Sequence, residues 1–526
     1  MYVPLLVSDF LERAVKLYGD KPAILDDTCI RTYSEVGERA NQLSNGLASL
    51  GVTKGDKVAY LAPNTPEMLE GFYGVAQIGA VMTPLNTRLK PFDYQFILEH
   101  SESKVLFVDY TLLRQVEEIL PHLPDLQHVI VHGEREVGYE PYEEWLQQFP
   151  RECMMEPELD EQDIASLLYT SGTTGDPKGV LLSHRSNYLH ALSAMHHLRV
   201  SDQDVLLHVL PMFHVNGWGS PYYYTANGAS QVMLRQTDPD LILDKIEQYG
   251  VTVVHMAPTV LNMVLEAFER KERTITQQVR VVIAGSAPPP AFVRRVEEEL
   301  GWTFIQVYGM TEISPLITIS EPRSVDILKS NEERYVLKAK TGYDLIGTRV
   351  KVVDELGEEV PCDGNTVGEI ITRTNHVMEG YYKNKEATQS TIQHGWLHTG
   401  DMATVDEKGY IEIVDRKKDV IISGGENISS IEVEGVLYDH PAILEAAVIA
   451  VPHEKWGESP HAVIVLRSGE ALTEMELITF CRERLAHFKV PKGITFMNEL
   501  PKTASGKIQK VLLRKSFWQD HERHVN

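Results

Sequence analysis

The chain has 526 residues, 43% of them hydrophobic and 24% charged, which is an ordinary globular composition with ample material for buried cores. Its 75 acidic and 50 basic residues give a formal charge of −25, which argues against broad binding to nucleic acids or anionic membranes. The four cysteines are far apart and form no Cys-x-x-Cys pair, so we expect neither a zinc site nor a disulfide framework, and a reducing compartment fits.

The N-terminal region predicts helices and no leader segment. The sequence MYVPLLVSDFLERA reaches Asp9 and Glu12 too early for a signal peptide. Thr32 and Glu35 form a capping-box pattern that opens a predicted helix running to Gly51. No run of 18 apolar residues occurs, and the final ERHVN is not a peroxisomal address, so we expect no transmembrane segment and a cytoplasmic location.

Short apolar strands then alternate with helical stretches through much of the chain. This alternation predicts parallel sheets covered by helices, in which ligands gather at the loops leaving the carboxyl ends of strands. The predicted strands are Val58–Leu61, Val105–Val108, Val129–Val131, Val205–Leu210, Val253–Met256 and Val281–Ala284.

One strongly biased segment, YTSGTTGDPKG from Tyr169 to Gly179, follows another apolar run at 164–168. Its glycines let backbone N–H groups converge, its hydroxyls add donors and Lys178 supplies a positive charge, which together suit a polyphosphate. The Walker A spacing is not met, because the lysine follows Pro177. We interpret the segment as a phosphate loop; the alternative is a flexible surface loop.

The composition changes after about residue 320. Residues 323–340 are charged and weakly periodic, which predicts an exposed excursion. The short strands that follow predict a small antiparallel or barrel-like subdomain. The charge cluster Asp415–Asp419 is a candidate linker, and a compact α+β module is predicted beyond it. The predicted strands of the subdomain are Arg349–Val353, Gly368–Thr372 and Tyr410–Val414.

Four separated segments need a common explanation: the phosphate loop, QVYGMTE at 306–312, WLHTGD at 396–401 with DRKKD at 415–419, and PKTASGKI at 501–508. Each alone has a mundane explanation, such as a turn, a hairpin loop or a solvated charge run. Together, in this order, they resemble the acyl-adenylate-forming superfamily, which includes acyl-CoA synthetases, aryl-CoA ligases, luciferases and peptide-synthetase adenylation domains. SGGENISSIEVE and VPHEKWGE resemble its medium- and long-chain acyl-CoA synthetase branch.

The resemblance implies an α/β fold in two domains. A large N-terminal domain, 1–415, would contain stacked mixed α/β sheets and the small barrel-like subdomain, and a small mobile α+β domain, 416–526, would follow. The implied reaction joins a carboxylic acid to the α-phosphate of ATP and then passes the acyl group to coenzyme A. ATP, Mg²⁺ and coenzyme A are the implied substrates and metal, and a homodimer is possible by analogy.

The resemblance assigns the charged groups of the first step. Lys507 would be the adenylation lysine, although a solvated tail lysine is the alternative. Glu312 and Thr170 would hold Mg²⁺, a cation that prefers oxygen ligands, unless Glu312 is a structural carboxylate. Tyr308 would stack on adenine and Asp401 would accept the ribose hydroxyls. The remaining predicted ATP-binding residues are Ser171, Gly172, Thr173, Thr174, Gly175, Lys178, Gly285, Ser286, Ala287, Gly309, Met310, Thr311 and Arg416.

The second step needs a thiol at the same carbonyl. Similar enzymes rotate the small domain about a hinge, which matches Lys418 here. Gly424, Gly425 and Glu426 would line the route of the pantetheine arm. Ile422 departs from the family pattern, because many relatives carry Lys or Arg there.

The acid would bind near the segment FHVNGW. His214 would border the carboxylate, and Gly217 and Trp218 would line the acyl tunnel, although a half-buried structural histidine is the alternative for His214. Val405 and Glu407 depart from the fatty-acyl signature, where Trp and Pro are common.

We therefore predict a ligase for medium- to long-chain fatty acids. An aryl- or short-chain-acid CoA ligase is the close alternative. More distant alternatives are an adenylation enzyme that loads a carrier protein, a luciferase-like oxygenase and a catalytically dead nucleotide-binding scaffold.

Overall fold

A computed structural model describes residues 2–154, 157–170, 177–270, 275–285, 288–326, 330–424, 426–453, 455–502 and 508–518. The chain packs into two compact units. The first contains residues 1–339, 344–349 and 373–395, and the second contains 340–343, 350–372 and 396–526. The predicted division at 415/416 stays a prediction.

The first unit contains a sheet in which the first three strands of the order given below pair antiparallel and the other strands pair parallel. The sequence explains the parallel part, because its strands are apolar runs buried on both faces. The strands, in spatial order, are Gly380–Tyr381, Lys178–Ser183, Ile164–Thr170, Val81–Pro84, Lys57–Leu61, Ser103–Asp109, His128–His132 and Glu140–Pro141.

A second sheet of the first unit has six neighbouring parallel strands at its centre. Its core includes Val254, Val281, Trp302 and Phe304, which are all buried. The parallel sheets expected from the β–α alternation are confirmed. The strands, in spatial order, are Leu316–Ile319, Thr303–Gly309, Arg280–Ile283, Val253–Met256, Val205–Leu207, Ser230–Val232, Pro22–Leu25 and Ile30–Thr32.

The helices of the first unit begin at recognisable signals. The Thr32 hydroxyl accepts from the Glu35 N–H at 3.3 Å, and the Glu35 carboxylate accepts from the Thr32 N–H at 2.7 Å, which confirms the predicted capping box. Five later helices begin with proline, whose fixed φ suits the first helical turn. The helices are Ser8–Tyr18, Tyr33–Ser49, Pro66–Gln77, Pro91–Ser101, Tyr142–Leu146, His184–His197, Ser220–Ala226, Pro239–Tyr249, Pro258–Arg270, Pro290–Glu299, Asn331–Ala339 and Lys385–Thr391.

The exposed excursion predicted for 323–340 is wrong in its second half. Asn331–Ala339 is a helix that buries Tyr335 and Ala339 against the core of the second sheet. Lys338 is only 4% exposed, because it pairs with Glu297 and donates to the Phe304 carbonyl at 3.2 Å. A distant carboxylate thus makes a charged helix compatible with burial, and the local sequence does not reveal that partner.

The second unit contains two smaller sheets. In the first, neighbouring strands include the antiparallel pairs expected from the sequence; the strands are Thr348–Val353, Gly368–Thr374, Trp396–Val405 and Ile411–Arg416. The second sheet packs against helices in the predicted α+β manner. Its strands are Glu426–Ile428, Ile421–Ser423, Gly457–Leu466, Ile443–His453 and Gly493–Phe496, and its helices are Ser430–Tyr438, Glu474–Arg482 and Lys510–Lys515.

Candidate functional site

The predicted phosphate loop joins two antiparallel strands. Ile164–Thr170 and Lys178–Ser183 pair so that Thr170 lies opposite Lys178, and the Thr170 hydroxyl donates to the Lys178 carbonyl at 3.4 Å. The two residues therefore flank the base of a hairpin at the end of a buried strand, as the sequence predicts. The loop residues Ser171, Gly172, Thr173, Thr174 and Gly175 lie outside the described residues.

Tyr381 connects two of the predicted site residues. Its strand pairs with the phosphate hairpin, Tyr381 lying opposite Val180. The Tyr381 hydroxyl donates to the Glu312 carboxylate at 2.7 Å, and the Lys178 Nζ lies 5.0 Å from the ring centroid of Tyr381. Burial, and then the Glu312 charge, raise the pKa of Tyr381, so the hydroxyl stays protonated and keeps donating. One tyrosine thus holds the predicted magnesium ligand beside the predicted phosphate lysine.

Glu312 itself lies on the short turn Thr311–Ile313 and is 8% exposed. Its carbonyl accepts from the Met378 N–H at 2.8 Å, in the segment that leads to Tyr381. His376, in the same segment, contacts the Ile313 carbonyl at 2.7 Å through its Nδ1. Three contacts from one stretch therefore fix this turn, and sequence reasoning identified none of them.

The predicted adenine site lies at the carboxyl ends of two neighbouring parallel strands. Ile283 pairs with Gln306, so Gly285 and Tyr308 each lie two residues beyond the pair on adjacent strands. Gly309 has no room for a side chain, since a Cβ would lie 2.0 Å from the Pro315 carbonyl oxygen. The structure thus brings Gly285, Tyr308 and Gly309 together, followed by Met310 and by Thr311, which is buried; Ser286 and Ala287 lie outside the described residues.

The predicted acid-binding segment is a left-handed turn. The φ angles of Val215, Asn216, Gly217, Trp218 and Gly219 are 49°, 51°, 60°, 59° and 74°. Such consecutive left-handed residues are costly for amino acids with a Cβ, above all for a β-branched valine, and strained backbone of this kind clusters at functional sites.

Asn216 fixes this turn to the phosphate hairpin. Its buried side-chain amide donates to the Ser166 hydroxyl at 2.9 Å and to the side-chain Oδ1 of Asn187 at 3.2 Å. Ser166 lies on the same strand as Thr170. His214 precedes the turn, and its carbonyl accepts from the Gly217 N–H at 3.0 Å. The predicted acid and phosphate segments therefore share one strand.

Trp218 is buried against a wall of aromatic residues. Its side chain stacks on His255, with ring centroids 5.9 Å apart, and the residue is 6% exposed. The Nε2 of His255 lies 3.1 Å from the Tyr224 hydroxyl, and burial lowers the pKa of His255 to about 3, so the ring is neutral. Tyr223 and Tyr224 are buried and pack against this ring. The volume behind the turn is filled by bulky rings.

In the second unit, Asp401 and Arg416 lie opposite each other on antiparallel strands. The Arg416 Nε lies 2.6 Å from an Asp401 carboxylate oxygen. Asp401 is buried while the Arg416 side chain is 45% exposed. The structure therefore brings together the two residues predicted to bind the ribose and phosphates.

The predicted hinge and pantetheine residues also lie in the second unit. Lys418 follows the strand Ile411–Arg416, and burial lowers its pKa. Gly424 has φ +63° in a tight hairpin and donates to the Trp456 carbonyl at 2.9 Å, and Glu426 is exposed on the returning strand. Gly425 and Lys507 lie outside the described residues.

The donor sets suit Mg²⁺ bound together with a polyphosphate. Among the residues that the structure describes, no group of three or more His, Cys, Asp and Glu side chains could hold a metal ion. A lone buried carboxylate, such as Glu312, with a hydroxyl fits a hard cation that takes its other ligands from phosphates and water. Within the same described ranges, no helix is long and apolar enough to cross a lipid bilayer.

Comparison with known proteins places these features in a family. Residues 11–382 match the AMP-binding enzyme family, and residues 432–507 match the AMP-binding enzyme C-terminal domain. Among curated proteins, the chain is 39% identical to butyrate–CoA ligase AAE11 of Arabidopsis thaliana, over 97% of this chain and 93% of that protein. It is 41% identical to a long-chain-fatty-acid–CoA ligase of Thermus thermophilus, over 97% of this chain and 95% of that protein.

A solved structure shares the whole fold. The anthranilate CoA ligase AuaEII, crystallised with anthranoyl-AMP, superposes with a TM-score of 0.89 at 30% identity, and the match covers 98% of both chains. The α/β fold expected from the sequence, with a large N-terminal and a smaller C-terminal part, is therefore confirmed.

Proposed function

This chain belongs to the AMP-binding enzyme family, and on that premise we propose that its substrate is an aryl or short-chain carboxylic acid. The enzyme is an acid–thiol ligase that acts through an acyl adenylate and uses ATP, Mg²⁺ and coenzyme A. The medium- or long-chain fatty acid predicted from the sequence is the second candidate, and the likeness to the Thermus thermophilus ligase favours it.

In the first half-reaction, the carboxylate attacks the α-phosphate of ATP and negative charge grows on the phosphate oxygens. Lys178 and Lys507 provide positive charge, and Thr170 provides a hydroxyl at the base of the hairpin. Glu312 would hold Mg²⁺, which supplies further positive charge to the phosphates, and Tyr381 keeps the Glu312 carboxylate oriented.

Asp401 accepts the two ribose hydroxyls in this proposal. Its ion pair with Arg416 orients the carboxylate before ATP binds. Tyr308 stacks on the adenine at the edge that Gly285 and Gly309 leave open. His214 borders the acid carboxylate at the entrance of the left-handed turn.

The second half-reaction transfers the acyl group to coenzyme A, and rotation about Lys418 brings Gly424, Gly425 and Glu426 to the thiol route. A requirement for free coenzyme A distinguishes this function from a carrier-protein adenylation enzyme and from a luciferase-like oxygenase. The homodimer, the cytoplasmic location and the 415/416 domain boundary remain predictions.

The aromatic wall around Trp218 is the observation that supports the substrate class. A long alkyl chain needs an extended apolar channel, and close-packed interiors leave no spare volume for one. Here Trp218 is buried on His255, with Tyr223 and Tyr224 packed against the same histidine. A flat ring or a short chain fits in front of such a wall. The butyrate and anthranilate ligases, both similar to this chain, act on acids of this kind.

The deciding measurement is pyrophosphate release with a panel of acids: acetate to palmitate, benzoate and cinnamate, each with and without coenzyme A. We expect the highest kcat/KM for an aryl or short acid, with acyl-CoA formed only when coenzyme A is present. A maximum at palmitate would overturn the proposed substrate class.

Trp218→Ala tests the wall directly, with Trp218→Phe as the control that keeps most of the bulk. Truncation should raise kcat/KM for octanoate or longer acids at least tenfold relative to benzoate, while the KM for ATP stays within twofold. An unchanged acid profile in Trp218→Ala would remove this residue from the acid site.

A further inference from the structure

Two hydrogen bonds span the predicted hinge at Lys418. A carboxylate oxygen of Asp415 accepts from the backbone N–H of Ser430 at 2.6 Å, and the Ser429 hydroxyl donates to the carbonyl of Val414. Val414 and Asp415 belong to the strand that precedes Lys418, and the two serines begin the helix Ser430–Tyr438 that follows it. Both bonds therefore join segments that lie on opposite sides of the hinge in the sequence.

The Asp415 bond is shielded from water. Asp415 is 1% exposed and Ser430 is fully buried. The other carboxylate oxygen accepts from the Arg416 N–H at 2.7 Å. Burial raises the pKa of Asp415, and the ammonium of Lys510 opposes that shift. A hydrogen bond to a buried carboxylate is stronger than one between neutral groups, and it is costly to leave unmade.

The ion pairs of the helix Lys510–Lys515 lie on the C-terminal side of the hinge. The Lys510 Nζ lies 2.7 Å from a Glu434 carboxylate oxygen and donates to the Ser430 hydroxyl at 2.5 Å. Arg514 pairs with Asp419. These contacts tie the helix Lys510–Lys515 to the C-terminal module. A rotation at Lys418 leaves them intact, whereas it must break the bonds made by Asp415 and Ser429.

We propose that Asp415 is a positioning residue that latches the C-terminal module to the strand before the hinge and must release the Ser430 N–H in each catalytic cycle. The Asp415 latch thus sets how the enzyme divides its time between adenylate formation and thioester formation. This inference rests on the proposed function, because it requires two half-reactions on either side of a rotation.

The helix start offers a matched pair of variants. Ser430 is the first helical residue, where proline is well accepted, and the ψ of 120° at Ser429 suits a residue before proline. Ser430→Pro removes the N–H that Asp415 accepts. Ser430→Ala keeps that N–H and removes only the hydroxyl. Asp415→Ala removes the acceptor and provides an independent second test.

The two half-reactions are measured separately in the full-length enzyme. Adenylation is followed as acid-dependent exchange between pyrophosphate and ATP without coenzyme A, and thioester formation as acyl-CoA from supplied acyl-AMP. We expect Ser430→Pro and Asp415→Ala to change the ratio of the two rates at least threefold and in the same direction, while Ser430→Ala stays within 1.5-fold of wild type. An unchanged ratio, or an equal fall in both rates, would overturn the proposal.

Limited trypsin digestion gives a readout that does not require turnover. The hinge contains Arg416, Lys417 and Lys418, and the side chains of Arg416 and Lys417 are about half exposed. We expect cleavage at the hinge to be at least threefold faster in Ser430→Pro than in Ser430→Ala, and equal rates would overturn the latch. If no acid supports either half-reaction in the wild type, the proposed function fails, and the digestion still reports whether the latch restrains the hinge.

Discussion

Tyr381 contacts two of the predicted site residues. The Lys178 ammonium lies near its ring, and the Glu312 carboxylate accepts a hydrogen bond from its hydroxyl. Because the hydroxyl orients the predicted magnesium ligand, Tyr381→Phe should weaken metal use more than acid use. A hydrogen bond to a charged group contributes roughly 1.5–3 kcal/mol, so the Mg²⁺ concentration for half-maximal adenylation should rise about tenfold or more.

The control for this prediction is the adjacent tyrosine. Tyr382 donates to Glu102 at 3.0 Å near the surface, so Tyr382→Phe should leave the Mg²⁺ dependence unchanged. Titrating Mg²⁺ at fixed ATP and acid checks both variants. Equal Mg²⁺ dependence in Tyr381→Phe and the wild type would contradict the role of Tyr381.

Single residues differ in how well the sequence predicts them. Asp401 and Arg416 were predicted from motifs, and the structure places them in one ion pair. Tyr381 and Asn216 received no role, because the partners of each come from segments far away in the chain. A local pattern carries no signal for such contacts; only the pairing of strands creates them.

At the scale of elements, the left-handed turn depends on Gly219. Its φ is +74°, and a Cβ there would lie 2.9 Å from the Nδ1 of His190, a buried ring with little room to move. Gly219→Ala should therefore lower the free energy of unfolding by about 3 kcal/mol, the sum of left-handed strain and overpacking. Chemical denaturation of the purified enzyme measures it.

Gly250 provides the matched comparison. Its φ is +62°, but a Cβ would have no neighbour within 4 Å. Gly250→Ala should cost about 1 kcal/mol from backbone strain alone. If the two alanine variants lose equal stability, the close contact with His190 does not contribute.

The strands were the most predictable elements, since runs such as Val105–Val108 are apolar and bounded by polar residues. The prediction of Val205–Leu210 was too long: pairing ends at Leu207, where the chain leaves the sheet. The helix Asn331–Ala339 was missed because its buried lysine has its carboxylate partner on another helix. The spacing of apolar residues predicts which residues are buried, but it does not predict the burial of a charged residue that is paired with a distant opposite charge.

At the scale of the whole molecule, the buried histidines make folding sensitive to mild acid. Burial lowers the pKa of His184, His208 and His376 to about 4 and that of His255 to about 3. In the unfolded chain a histidine titrates near pH 6.5, so between about pH 6.5 and 4 the unfolded state binds protons that the folded state does not. The contribution of these neutral histidines to the free energy of unfolding is therefore complete above pH 6.5 and is lost as the pH falls.

Each such histidine contributes about 1.4 kcal/mol per pH unit below its unfolded pKa, so four should give a slope of roughly 5 kcal/mol per unit near pH 5. Denaturant titrations between pH 7.5 and 5 check this value. His208→Gln should reduce this slope by about 1.4 kcal/mol per pH unit, the contribution of one proton. A stability that does not change from pH 7 to 5 would contradict the neutral state of these rings.

The overall architecture followed from the order of patterns: β–α alternation first, short strands with turns later, and a compact module last. The sequence did not predict that the strand Gly380–Tyr381 pairs with the phosphate hairpin, because this strand comes from a distant part of the chain. A strand of only two residues has too short a pattern of apolar residues for its position to be predicted from the sequence.

The strand Ile164–Thr170 acts as a molecular ruler. Ser166 anchors the predicted acid segment through Asn216, and Thr170 directly precedes the predicted phosphate loop. They are four residues apart, so they lie on the same face of the sheet about 13 Å from each other. Inserting or deleting one residue between them would send the Thr170 hydroxyl to the opposite face. The distance between the predicted acid segment and the predicted phosphate loop therefore depends on the even offset from Ser166 to Thr170, which a change of one residue would not keep.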